Sequence, residues 1–208
     1  MGFFLTIEGG EGAGKTTAMG VITAWLASRD IAFIQTREPG GTPMAEAVRE
    51  TLLASYDETV NSTTELLLMF AARSQNLHQN IELAMAEGKV VVCDRFTDAT
   101  YAYQGGGRGV DRGHIATLET LVQGERRPDL TLLLDIDPEA GLTRAWGRGK
   151  ALDRIEQEDI AFFNRVRAEY LDRAARYPRQ YVVIDADRSL AQVKQHIEAV
   201  LTQRLGAC

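Results

Sequence analysis

The sequence predicts an α/β fold of three layers, a parallel sheet covered by helices on both faces. Three observations predict it. Five short apolar runs, at residues 3–7, 31–36, 90–93, 130–136 and 181–184, punctuate the 208-residue chain. They are continuously apolar rather than alternating, as strands buried on both faces are. Between them lie longer segments with apolar residues at helical spacing. Parallel neighbours need such crossovers, which are almost always right-handed.

The elements follow in order. The run 3–7 leads into a glycine loop, and the segment 16–28 behind it has helical periodicity. The run 31–36 ends in Thr36-Arg37-Glu38-Pro39-Gly40-Gly41-Thr42, whose Pro-Gly-Gly reads as a turn. Ser62 and Glu65 have capping-box spacing ahead of a long amphipathic stretch that stops at Gly88, a residue suited to follow a helix. Helical patterns at 112–123, 138–148, 156–176 and 189–205 supply the remaining connections. Nothing reads as a repeat, a low-complexity tract or a linker. With 45% hydrophobic and 25% charged residues, the expectation is one domain over 1–208 with one core.

Composition also excludes. A net charge of −6 argues against a nucleic-acid partner, which needs a basic stripe. Cys93 and Cys208 make no disulfide framework, and His78, His114 and His196 lack metal-site spacing. No apolar stretch approaches the ~20 residues that span a bilayer, and the first residues lack a basic leader. A cytoplasmic protein without a membrane partner is the expectation.

Chemistry enters with Gly9-Gly10-Glu11-Gly12-Ala13-Gly14-Lys15-Thr16, which matches G-x-x-x-x-G-K-[ST] between an apolar run and an amphipathic segment. Glycines let the backbone wrap closely around phosphates, with N–H groups pointing inward, and the following helix turns its positive end to the same anion. Lys15 is placed to reach the β- and γ-phosphates, and the Thr16 hydroxyl to ligate Mg²⁺. A plain glycine turn is the competing reading, and the strand-then-helix context weighs against it. The loop alone does not separate kinases from GTPases or ATPases, although no Asn-Lys-x-Asp guanine signature occurs.

Two strand ends sharpen the reading. The third run closes on Asp94-Arg95, an acid able to serve a metal and an arginine able to hold a second phosphate. A surface ion pair is the bland alternative, but ligands of open α/β sheets bind where strands end. Arg37 closes the second run, and its planar fork matches a phosphate bidentately.

The glycine loop, the segment 36–42, Asp94-Arg95-Phe96 and Ala102-Tyr103-Gln104-Gly105-Gly106-Gly107-Arg108-Gly109, in this order and spacing, resemble bacterial thymidylate kinases through essentially the whole chain. The resemblance implies a P-loop kinase fold with a five-stranded parallel sheet and a mobile lid at about 144–156. It implies ATP as donor with Mg²⁺, thymidine monophosphate as acceptor, and a homodimer. The ATP site would comprise Gly10, Glu11, Gly12, Ala13, Gly14, Lys15, Thr16 and Thr17 with Arg144, and the metal would take Thr16 and Asp94.

Phe70 and Arg73 share a helix face by their spacing. Periodicity alone reads Phe70 as core, whereas the resemblance makes it the ring that stacks on thymine, with Arg73 bonding the base. The resemblance also places Thr100 and Gln104 on the base, Tyr103 over the sugar and Glu11 near the 3′-hydroxyl. Thr100 reads equally as a helix cap. The glycine loop lacks an arginine, so the resemblance points to the subgroup that supplies one from the lid. Arg148 is expected there as the catalytic arginine, with Arg144 and Arg154 behind it, while Lys15 and Arg95 complete the catalytic set. The rivals are a kinase of another small acceptor and a nucleotide-binding regulatory module.

Overall fold

The computed structural model describes residues 2–147 and 153–206. All five apolar runs become strands: β1 (Phe3–Gly9), β2 (Phe33–Arg37), β3 (Val90–Asp94), β4 (Leu130–Asp135) and β5 (Tyr181–Asp185). They form one five-stranded sheet in the order β2-β3-β1-β4-β5, every neighbouring pair parallel. Parallel pairing puts all five carboxyl ends on one edge. The register fixes which tips meet, with Ile7 and Arg37 both opposite Asp94 and Gly9 opposite Leu134.

Side chains alternate across this sheet. Leu5, Ile7, Val90, Val92, Leu132 and Leu134 face one layer, where they pack with Ile22 and Leu26 of α1 (Lys15–Ala27) and Ile197 and Leu201 of α9 (Leu190–Leu205). Phe4, Val91 and Cys93 face the other layer and meet Leu77, Ile81 and Phe96. Farther along that face, Leu133 packs with Phe162, Val166 and Tyr170 of α8 (Ile160–Arg176). Each such buried side chain contributes about 1.5–3 kcal/mol. Thr6 is polar on this inner strand, yet its hydroxyl is satisfied by that of Thr131 at 3.0 Å.

The connections depart from the sequence expectation in five places. Residues 43–53, to which the sequence reading assigns no element, form α2 (Pro43–Leu53), capped by the Thr42 side chain on Ala45 N with proline in the first turn. The expected capping box is absent: Asn61 caps α3 (Ser62–Asn76) through Thr63 N, and Glu65 turns inward to buried partners. α3 runs through a π-helical turn, Leu77–Ile81, into α4 (Glu82–Ala86) before Gly88 reverses the chain at φ 76°. A short helix α5 (Thr97–Thr100) leads into a second π-helical segment, Tyr101–Gly107, and then α6 (Arg112–Gln123). α8 starts at Ile160 rather than 156, because Asp159 supplies the cap on Phe162 N at 2.7 Å. α7 (Pro138–Trp146) closes the set.

Leu132 is fully buried on the central face, so Leu132→Ala is expected to cost about 2–5 kcal/mol, measured as a lowered urea midpoint with an unchanged slope.

Candidate active site

A cleft of about 660 Å³ opens at the carboxyl edge of the sheet. Its wall includes Glu11, Gly12, Gly14, Lys15, Thr16 and Thr17 from the loop and the start of α1, with Arg37, Asp94, Arg95, Tyr103, Gln104 and Arg144. Most of the residues expected from sequence therefore meet in one place. Phe70, Arg73 and Thr100 lie buried behind the wall instead, and Arg148 lies outside the described residues.

The glycine loop is held open by its backbone. Gly12 and Gly14 adopt φ 68° and 92°, which favour glycine. Gly14 caps α1 without a side-chain acceptor, and no acid occupies the first turn, so that helix end presents N–H groups and positive dipole to the cleft. Lys15 Nζ donates to Gly9 O and Gly10 O at 3.1 and 2.9 Å. Burial pushes its ammonium below the ordinary lysine value and Arg95 adds to that, against Glu11, Asp94 and Glu8. A phosphate would relieve both effects.

The loop also touches α7 backbone to backbone. A Cβ on Gly12 would fall 1.9 Å from Gly141 O, and one on Gly141 would fall 2.4 Å from Glu11 O. Gly141 went unnoticed in the sequence because a lone glycine in a helical pattern carries no signal of what packs on it.

Arg95 is a non-glycine residue at φ 69°, a conformation costing about 1–2 kcal/mol. Several contacts hold it there. Its N–H donates to Ile7 O at 3.0 Å, its guanidinium pairs with Glu11 at 2.6 Å and reaches Tyr170 Oη at 3.3 Å, and it lies 4.7 Å over the Tyr103 ring. Glu11 thus bonds Arg95 and, at 2.8 Å, the Tyr103 hydroxyl. The sequence reading gave its carboxylate a hydroxyl partner to explain an acid among phosphate-binding amides; here a guanidinium shares that role.

Arg37 is half-exposed and paired bidentately with Glu46 of α2 at 3.1 and 2.7 Å. Arg49, one turn further along α2, also lines the cleft and donates to Pro39 O at 3.0 Å. Burial, then Arg37 and Arg95, push its pKa below the usual arginine value. Three guanidiniums crowd one wall. Arg49 was missed because α2 was, although the Thr42-Pro43 cap signal was present.

Asp94 contributes a buried Oδ1 with no hydrogen-bond partner among the described residues. Arg73 is fully buried, its Nε on Glu38 at 2.7 Å, its Nη2 on Thr100 Oγ1 at 2.9 Å and its guanidinium 4.7 Å over Phe70. Among the described residues, its Nη1 has no acceptor and Gln104 Oε1 has no donor. Arg144 ties α7 to the segment after β5, through Ala186 O and Asp187. Arg154 is committed elsewhere than expected: it bonds Glu65 at 2.6 Å and Leu52 O at 3.1 Å, so a phosphoryl role for it loses support.

Beneath the site sits Glu8, which sequence reading passed over as strand. Its Oε1 accepts from Phe96 N and its Oε2 from Tyr170 Oη, both at 2.7 Å. Burial, reinforced by Asp98, pushes its carboxyl up to about 8.

Comparison with known proteins is consistent with this geometry. The family model described as thymidylate kinase matches residues 7–197. A curated thymidylate kinase of Chromohalobacter salexigens is 57% identical over 207 residues, covering 99% of this chain and 98% of its own. That of Ectopseudomonas mendocina is 55% identical over 207 residues, covering 100% and 98%. The crystal structure of thymidylate kinase from Ehrlichia chaffeensis superposes with a TM-score of 0.77 at 32% identity, covering 96% of this chain and 98% of that one.

Two outcomes test the site. Gly141→Ala should displace the loop and weaken ATP binding about tenfold or more, read by calorimetric titration beside a melting curve; unchanged affinity would refute the backbone contact. The Glu8 carboxyl keeps its proton in the native state up to about 8, whereas the unfolded chain releases it near 4.5. Native protein binds the extra proton in that window, so stability falls as pH rises, by up to about 1.4 kcal/mol per unit. Glu8→Gln should flatten that slope in urea unfolding across the same window.

Proposed function

The chain belongs to the thymidylate kinase family, and from that premise we propose that it transfers the γ-phosphate of ATP to dTMP, giving ADP and dTDP on the way to dTTP. One observation carries the reading at residue level: a glycine loop and a cluster of three guanidiniums share one cleft at the sheet edge. A single nucleotide needs the first, and a second anionic substrate explains the other.

ATP phosphates fall to Gly10, Glu11, Gly12, Ala13, Gly14, Lys15, Thr16 and Thr17, with Arg144 beside them. The acceptor phosphate falls to Arg37, Arg49 and Arg95, which orient it for in-line attack. Its attacking oxygen is already ionised, so positioning and charge stabilisation suffice without a general base. Glu11 and Tyr103 take the sugar. The base falls to Phe70, Arg73, Thr100 and Gln104. Support comes from two buried groups that have no partner among the described residues, a donor at Arg73 Nη1 and an acceptor at Gln104 Oε1. That pair complements the C4 carbonyl and N3–H of thymine.

Mg²⁺ fits the residues present. Asp94 Oδ1 is buried and unpaired, Thr16 lines the same cleft, and a hard cation that keeps several waters needs only one or two protein ligands beside phosphates. Bound with ATP, the ion would neutralise charge on the transferring group. Arg148 is assigned the arginine that stabilises that group as a lid over about 144–156 closes. A cytoplasmic homodimer is the form implied by the family resemblance. Among the described residues no helix is long and apolar enough to cross a membrane.

The test is ADP release against a panel of dTMP, dUMP, AMP, CMP, GMP and thymidine with MgATP. Rapid turnover with dTMP is expected, abolished by Lys15→Ala and by chelation of Mg²⁺. Arg148→Ala should lower kcat by ~10³-fold. Absence of dTMP-dependent ADP release overturns the function; an unaffected Arg148→Ala variant overturns only the lid assignment.

A further inference from the structure

Glu65 is almost completely buried on α3, and its carboxylate is a hub. Its Oε1 accepts from Gln104 Nε2 at 2.8 Å and from Arg108 at 3.3 Å, while its Oε2 accepts from Arg154 at 2.6 Å. Gln104 is equally buried, lines the cleft, and has its carbonyl oxygen unpaired. A glutamine amide can be turned either way, and nothing within Gln104 selects one orientation. The carboxylate does: ionised, it only accepts, so it must meet the NH₂ end, because the reverse sets two acceptors against each other.

We propose that Glu65 is a specificity-positioning residue, which turns the Gln104 amide so that its Oε1 is the atom offered to the base. This rests on the function proposed above and deepens it. An acceptor there selects a pyrimidine whose N3 carries hydrogen, thymine or uracil. Cytosine presents a bare N3 to the same atom and leaves two buried acceptors facing each other. The discrimination is thus set one residue behind the group that touches substrate. Two guanidiniums keep the hub charged. Burial opposes ionisation of Glu65, but Gln104, Arg154 and Arg108 outweigh it and hold its carboxyl below the ordinary value. Arg154 bonds the other oxygen and the Leu52 carbonyl, so it secures Glu65 without touching the amide.

The experiment measures kcat/KM for dTMP and for dCMP, with the KM for ATP as a check on folding, in wild type, E65Q, E65D and R154A. In E65Q the new carboxamide both donates and accepts, so Gln104 turns freely. The dTMP-to-dCMP ratio should then fall about tenfold or more, with the ATP KM unchanged. E65D retains an acceptor-only group and should keep the ratio even if its KM for dTMP rises. R154A should keep the ratio as well. If E65Q does not fold, E65N makes the same chemical change. An E65Q or E65N ratio equal to wild type, with both acceptors slowed alike, reduces Glu65 to a structural role and overturns the proposal, as does loss of the ratio in E65D or R154A. Wild-type protein inactive on dTMP overturns the proposed function itself, a separate result from any variant.

Discussion

The buried carboxyl group of Glu8 joins three elements that the sheet ladder alone would leave separate. The β1–β3 register ends with Ile7 opposite Asp94. Past that point Glu8 takes the Phe96 amide on one oxygen and the α8 residue Tyr170 on the other. Between these anchors the chain must pass through Arg95, and it does so in a left-handed conformation that an arginine adopts only under constraint. The same Tyr170 hydroxyl reaches the Arg95 guanidinium. One acid at the end of the central strand therefore fixes both the backbone and the side chain of Arg95, an arginine proposed to hold the acceptor phosphate. Low local dielectric strengthens every bond in that set and makes loss of any one costly.

A second constraint concerns charge. The protein carries a net charge of −6, yet its cleft presents guanidiniums to polyanions. The described geometry reconciles the two by giving cleft arginines protein partners: Arg37 has Glu46, Arg95 has Glu11, Arg144 has Asp187, and the buried Arg73 has Glu38. Desolvated cations without partners would be expensive, and a buried pair broken on one side costs about 3–5 kcal/mol. Arg49 donates to the Pro39 carbonyl and lies near two like charges, Arg37 and Arg95, as well as the acids Glu46 and Asp153. Global charge weighs against a nucleic-acid surface, but it says nothing about a pocket this small.

What could be read from the sequence divides along the same physical line. The five strands were legible because burial on both faces leaves a continuous apolar run, and the loop because phosphate binding dictates glycines and a lysine at fixed spacing. Arg37, Asp94 and Arg95 were legible because strand ends in a parallel sheet share an edge. Glu8 was not, since its partner Tyr170 lies 162 positions away and nothing local distinguishes it from a strand residue. Glu65 was misread as a cap for a related reason: a carboxylate at the third helical position has a familiar local use, and only tertiary contact with Gln104 and Arg154 shows that it faces inward. Arg49 and Gly141 belong to the same class. Their roles exist only once α2 and α7 are docked.

Docking also explains how the two substrate halves are mechanically framed. On one side, α7 rests on the glycine loop with backbone atoms in mutual contact at Gly12 and Gly141, and Arg144 pins its far end to the segment after β5. On the other, Arg154 fastens the turn at 153–158 to Glu65 and to the end of α2. Contacts between backbones tolerate no rotamer adjustment, so α7 and the loop move as one body or not at all. The Arg154–Glu65 pair is costly to break as well, because its carboxylate is buried, so both flanks of the cleft are firmly held.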